Sequence, residues 1–145
     1  MENALKEKFL SFSGFVFDMD GTIIDLENLN YERYRIAFKN LIDFDFKKED
    51  YINYFSGKRG EESFPEFLGK IGLPNHGFSL LLKESRDLKN KMLKSNFYDV
   101  VSVKPFIREF LLAIKGKKKK VCLATSTPRK LTETILGKFE ILGFF

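Results

Sequence analysis

Phe15-Val16-Phe17-Asp18-Met19-Asp20-Gly21-Thr22, residues 15–22, is the stretch whose reading decides the fold. Three apolar residues end abruptly in two carboxylates, a glycine and a threonine. An apolar run closed by a polar turn predicts a buried strand over about 13–17, with a C-terminal end that opens into a site. Ligands of open α/β sheets bind at that end of the strands. Side chains two apart on a strand project the same way, so Asp18 and Asp20 reach one small volume. Gly21 permits a tight turn directly after them. Carboxylates so placed repel each other, and a shared proton or a metal ion relieves the repulsion.

Outward from this stretch, periodicity assigns the rest. Ala4, Leu5, Phe9 and Phe12 predict a short lead-in helix over 2–12. Ile23-Ile24-Asp25-Leu26 reads as a hinge. Residues 27–95 follow a helical pattern throughout. Leu26, Leu29, Arg33/Tyr34, Ala37, Phe38 and Leu41 form one face of a first helix. A second helix spans 47–55. A third carries Phe64, Phe67, Leu68 and Ile71, with Pro65 in its first turns, where proline is tolerated. A fourth carries Phe78, Leu81, Leu82, Ser85, Leu88 and Met92.

Asn96 to Val103 brings the chain back. Pro105 can open a helix with Phe106, Ile107, Phe110, Leu111 and Ile114 on its apolar face, stopped by Gly116. After the basic turn Lys117–Lys120 comes a second strand, Val121–Ala124. Thr127 can cap, and Pro128 open, a last helix that buries Leu131, Ile135, Leu136 and Phe139 and ends at Gly143. Strand, helix, strand, helix around an insertion argues a parallel α/β sheet. The expected organisation is a discontinuous core, 1–26 and 96–145, with an all-helical insertion over 27–95.

Composition sets bounds. The chain of 145 residues has a 43% hydrophobic share and 17 phenylalanines, enough for a sizeable core. The net charge of +5 favours anionic partners without identifying one. A single cysteine, Cys122, excludes an internal disulfide framework and suits a reducing compartment. No apolar run approaches a membrane span, and charges at Glu2, Lys6, Glu7 and Lys8 exclude a signal peptide. The expectation is a cytoplasmic protein with no membrane and no nucleic-acid partner; no RNA-binding motif is recognisable.

Phe17-Asp18-Met19-Asp20-Gly21-Thr22 resembles the first motif of the haloacid dehalogenase-like phosphohydrolases, an apolar strand followed by DxDGT. VCLATSTPR at 121–129 resembles their second, an apolar strand ending in Thr or Ser before a helix. The spacing is similar to that of the branch with a helical cap inserted after the first strand, which includes enzymes like phosphoglycolate phosphatase and β-phosphoglucomutase. The resemblance implies a Rossmann-like parallel core. It also implies a departure: the family's lysine motif and acidic-pair motif lie downstream of the second, and nothing after Thr125 matches either. The expected core is therefore incomplete, with its C-terminal strands missing.

The resemblance implies the following roles. Asp18 is the nucleophile that forms an aspartyl-phosphate, and Asp20 is the proton donor and then the base. The Asp18 side chain and the Asp20 backbone carbonyl bind Mg²⁺. Thr125 holds a phosphate oxygen, with Ser126 beside it. As residues alone, Thr125, Ser126 and Thr127 compete for simple helix capping. Gly21 and Thr22 order the nucleophile loop, though Thr22 reads equally as a turn residue. Lys58 and Arg59, in a cap loop, either touch the distal part of a substrate or form a solvated turn.

Cys122 and Arg129 are spaced by six residues, one too many for a cysteine phosphatase, and Cys122 reads as a buried structural thiol. His76 lies in a Pro-Asn-His-Gly turn with no partner for a metal site. The mutase branch uses a cap histidine soon after the hinge, and Leu26–Tyr34 has none. The expected function is hydrolysis of a small phosphomonoester, such as a sugar phosphate or phosphoglycolate. The alternatives are a catalytically silent fragment and a phosphomutase. The silent fragment would expose an unpaired edge of its first strand and offer it to a C-terminal fragment or to a second copy.

Overall fold

The computed structural model describes residues 8–9 and 11–145. Most of the expected lead-in helix lies outside them. The chain divides into two compact units, Met1–Asp25 with Ser102–Phe145, and Leu26–Val101.

The first unit is built on two parallel strands, β1 (Gly14–Phe17) and β4 (Lys120–Leu123), in the register Gly14↔Lys120 to Phe17↔Leu123. Gly14 is required at the start of this pair. A Cβ there would stand 3.0 Å from the Lys120 carbonyl oxygen, so only glycine lets the backbones approach. Strand alternation turns Phe15 and Phe17 to one face. There the ring of Phe110 meets them edge-on at 5.8 and 6.0 Å. Phe110 belongs to the helix Ile107–Gly116, which buries Leu111 and Ile114. A last helix, Arg129–Lys138, buries Ile135 and Leu136. The fold is mixed α/β with a partial parallel sheet: among the described residues β1 is paired along one edge only.

The structure corrects four expectations in this unit. Cys122 is exposed. It pairs in register with Val16, itself 70% exposed, so among the described residues that face of the short sheet is open at this pair. Phe106 leaves the apolar face of its helix: it takes a left-handed conformation (φ 64°) before the first turn and is 80% exposed. The last helix stops at Lys138, before Gly143, and Glu140 then turns left-handed (φ 56°). Thr127 does not cap that helix, because its hydroxyl is engaged elsewhere, as described below.

A ribbon absent from the sequence reading joins the two passages between the units. Strands β2 (Ile24–Asp25) and β3 (Ser102–Val103) pair antiparallel. The Lys104 N–H donates to the Ile23 carbonyl at 2.8 Å, and its ammonium donates to Asp25 Oδ2 at 2.6 Å. The unit boundaries fall at this ribbon. Asn96–Val101 goes with the helical unit because the short helix Phe97–Val100 buries Phe97 there.

The second unit is all-helical among the described residues. Its main helices are α1 (Glu27–Ile42), α2 (Lys48–Tyr54), α3 (Gly60–Lys70) and α4 (Phe78–Ser95). The apolar stripes converge on Tyr34, Phe38, Phe46, Tyr51, Phe55, Phe64, Phe67 and Leu81. Phe38 and Phe46 stack with centroids 4.7 Å apart, and Phe64 and Phe67 meet Phe38 at 5.6 and 5.3 Å. Burial of each such ring contributes a few kcal/mol, ~2–3 by area. Aromatic rings dominate this cluster, with Ala37, Leu68 and Leu81 filling in around them.

Candidate active site

The end of β1 and the end of β4 lie side by side because the two strands run parallel and in register. The Ala124 N–H continues the ladder, donating to the Phe17 carbonyl at 2.8 Å. After Phe17 the chain must turn sharply. Gly21 takes φ 82°, and its N–H donates to the Ile24 carbonyl at 2.8 Å. The N–H groups of Ile23 and Ile24 both donate to the Met19 carbonyl, at 3.0 and 2.9 Å. Met19, Ile23 and Ile24 are fully buried and anchor this loop, which leaves Asp18 and Thr22 exposed and Asp20 half-buried.

Asp20 is the best-held acid. Its Oδ2 accepts a hydrogen bond from the Thr127 hydroxyl at 2.8 Å. Its Oδ1 is shut off from solvent and has no hydrogen-bond partner among the described residues. A buried carboxylate oxygen left unmatched costs free energy, so it marks a place where a further donor or a cation is accommodated.

On the opposite loop, Thr125 Oγ1 accepts from the Thr127 N–H at 3.1 Å, a tight turn that orients the loop ahead of the last helix. The Thr127 carbonyl in turn accepts from the Thr132 hydroxyl at 3.2 Å. Thr125 is half-buried and Ser126 exposed.

Sequence reasoning named Thr127 only as a cap. The signal that could have singled it out is the run of three hydroxyl residues, 125–127, at the end of a strand parallel to the acidic one.

The carboxylates of Asp18 and Asp20 and the Asp20 backbone carbonyl are all oxygen donors, which suits a hard divalent cation. Among the described residues no group of three or more His, Cys, Asp or Glu side chains gathers for a metal. Such a cation would keep ligands from water or substrate, as Mg²⁺ commonly does. No described helix is long and apolar enough to cross a membrane.

Lys58 and Arg59 belong to the helical unit. The Lys58 ammonium donates to Glu66 at 2.8 Å in an exposed ion pair. Arg59 precedes α3 and is exposed, and its carbonyl accepts from the Ser63 N–H and hydroxyl, both at 3.0 Å.

The chain is 28% identical over 137 residues to a phosphorylated carbohydrates phosphatase of Thermotoga maritima, covering 90% of this chain and 57% of that protein. A haloacid dehalogenase-like hydrolase structure from Streptococcus pneumoniae superposes with a TM-score of 0.74 at 21% identity, over 93% of this chain and 59% of that one. The structure of a predicted phosphoglycolate phosphatase from Haemophilus somnus gives a TM-score of 0.74 at 18% identity, over 92% and 60%. This chain therefore spans somewhat under two thirds of the length of these relatives. Residues 15–145 match the model of the haloacid dehalogenase-like hydrolases, and the chain belongs to that family.

Proposed function

We propose that the site at the ends of β1 and β4 transfers a phosphoryl group from a small phosphomonoester to water. Asp18, exposed at the strand end, is the nucleophile. One of its carboxylate oxygens bonds to phosphorus as the bond from phosphorus to the substrate's ester oxygen breaks. Asp20 gives its proton to that leaving oxygen. It then takes a proton from water, whose oxygen attacks the same phosphorus and frees inorganic phosphate and the Asp18 carboxylate. Gly21 and Thr22 shape the loop that presents Asp18. Thr125 and Ser126, ahead of a helix N-terminus, receive the phosphate oxygens. Asp18 and Asp20 would hold Mg²⁺, which supplies positive charge against the repulsion between a phosphate dianion and two carboxylates.

The observation that carries this reading is the grip of Thr127 on Asp20. It fixes one acid at the mouth of the parallel strand pair and leaves its second oxygen unmatched. The helical unit over Leu26–Val101 serves as the cap, and a phosphorylated carbohydrate is the substrate class that the Thermotoga maritima relative's name suggests.

A second reading is favoured by the unpaired edge of β1 and by the lack of a third acid among the described residues. In it these 145 residues bind but do not turn over substrate, and gain activity with a C-terminal partner. Hydrolysis of p-nitrophenyl phosphate with Mg²⁺ separates the two. Turnover abolished in Asp18→Asn supports the first; no turnover from a folded wild-type chain supports the second.

A further inference from the structure

The parallel strand pair is polarised. Its C-terminal end carries Asp18 and Asp20, and its N-terminal end carries Lys117–Lys120, the turn that leads into β4. Three steps of strand, about 10 Å, separate the two ends. No acidic residue lies between Glu109 and Glu133 in the sequence. Lys117, Lys118 and Lys120 are exposed, and no ion pair among the described residues involves this turn. Main-chain bonds hold it in place. The N–H groups of Lys117 and Lys119 donate to the carbonyls of Ala113 and Ile114, both at 3.2 Å, and Lys118 takes φ 53°.

An apolar feature adjoins these lysines. The Lys120 N–H donates to the Ser13 carbonyl at 3.3 Å, which sets Phe12 beside the turn. The rings of Phe12 and Phe9 meet edge to face at 6.4 Å, and they remain 47% and 45% exposed. Lys8, also exposed, precedes Phe9. Cationic and aromatic groups thus share one end of the unit.

That combination fits the interface of a bilayer, where anionic headgroups lie above acyl chains. Lysine charge draws the chain to the surface, and half-exposed rings gain from entering its apolar boundary. Lys8 and Lys117–Lys120 include no arginine. They offer point charges to a diffuse field rather than the planar forks that favour nucleic-acid phosphates. The same field repels the acids at the far end. It orients the strand pair lysines first and leaves the candidate active site facing solution. A surface contact of this kind needs no spanning helix.

We propose that the N-terminal end of the β1–β4 pair, Lys117–Lys120 with Phe9 and Phe12, docks on an anionic lipid bilayer. The contact uses neither Asp18 nor a metal ion, so it stands apart from the phosphatase reading.

The test is sedimentation of the full chain, in EDTA, with vesicles of equal parts phosphatidylserine and phosphatidylcholine and with vesicles of phosphatidylcholine alone. The chain should bind the mixed vesicles at least about tenfold more tightly than the neutral ones, and binding should fall steeply as salt is raised. Lys117→Gln combined with Lys118→Gln removes two exposed charges and should weaken binding about 25-fold, about fivefold for each. Asp18→Asn should bind as the wild type does.

The protein has no tryptophan, so Phe12→Trp supplies a single reporter. Its emission should shift to the blue on mixed vesicles and be quenched by lipids brominated on their chains. Should Phe12→Trp fail to fold, Phe9→Trp takes its place. A wild-type chain that ignores mixed vesicles overturns the proposal. So does a double lysine variant that binds as tightly as the wild type, or a reporter whose emission does not move. Retention of single-stranded RNA at a salt concentration that releases the vesicles also overturns it, in favour of a nucleic-acid surface.

Discussion

The hydroxyl of Thr127 donates to Asp20 Oδ2 at 2.8 Å, joining two loops separated by 107 residues of chain. This single bond holds the acidic turn after β1 against the hydroxyl-rich turn after β4. Replacing Thr127 with valine keeps the shape and removes the donor, leaving both oxygens of a half-buried carboxylate without a partner among the described residues. Stability should fall by about 1–2 kcal/mol, read by urea unfolding. If the phosphatase reading holds, turnover should fall by about tenfold or more as Asp20 loses its orientation. Unchanged stability would show that the bond is not formed in solution.

Two substitutions probe the two units separately. Phe38→Ala removes a fully buried ring that touches Phe46, Phe64 and Phe67, and should cost about 3–5 kcal/mol. Loss of that much should melt the helical unit at room temperature, visible as lost near-ultraviolet tyrosine signal. Gly14→Ala places a methyl against the Lys120 carbonyl oxygen, backbone that cannot rotate away. It should weaken the β1–β4 pair by about 1–3 kcal/mol while leaving the aromatic cluster intact. Hydrogen exchange of the amides over 15–17 and 121–124 would report it.

The Tyr51 hydroxyl is pushed up to about 12 from an ordinary value of 10.0, with burial the largest cause and the charge of Glu27 next. Burial likewise raises Tyr34. A group whose folded value is raised contributes stability that is fully present below its unfolded value and lost as pH climbs through the folded one. The helical unit should therefore lose stability between pH 10 and about 12. Spectrophotometric titration should show late-ionising tyrosines, and Tyr51→Phe should remove one of them. A tyrosine that ionises near pH 10 at position 51 would contradict its packing.

The Lys104–Asp25 pair at the β2–β3 ribbon is about one-third exposed on both sides. Water and salt screen such a pair, so a double-mutant cycle with Lys104→Met and Asp25→Asn should give a coupling of only about 0.5–1 kcal/mol, smaller at high salt. A larger, salt-insensitive coupling would mean that the pair is drier than its exposure indicates.

Much of this protein was legible locally. The apolar run before Asp18, the four aromatic-striped helices between 27 and 95, and the strand after the lysine turn each follow from side-chain periodicity, which needs no knowledge of the partner. The resemblance of DxDGT and the later threonine turn pointed to the family for the same reason, since both motifs are short and contiguous.

The amino-acid order by itself determined the two longer strands, the main helices and which strand end carries the acids, because those depend on neighbours within a few residues. Only the tertiary structure decided that Thr127 grips Asp20, that Cys122 and Val16 share an uncovered face, that Phe106 turns outward, and that β2 finds β3. Each of these depends on the register between segments tens of residues apart, and register is set by packing and backbone hydrogen bonding of the assembled unit, not by the residues of either segment alone.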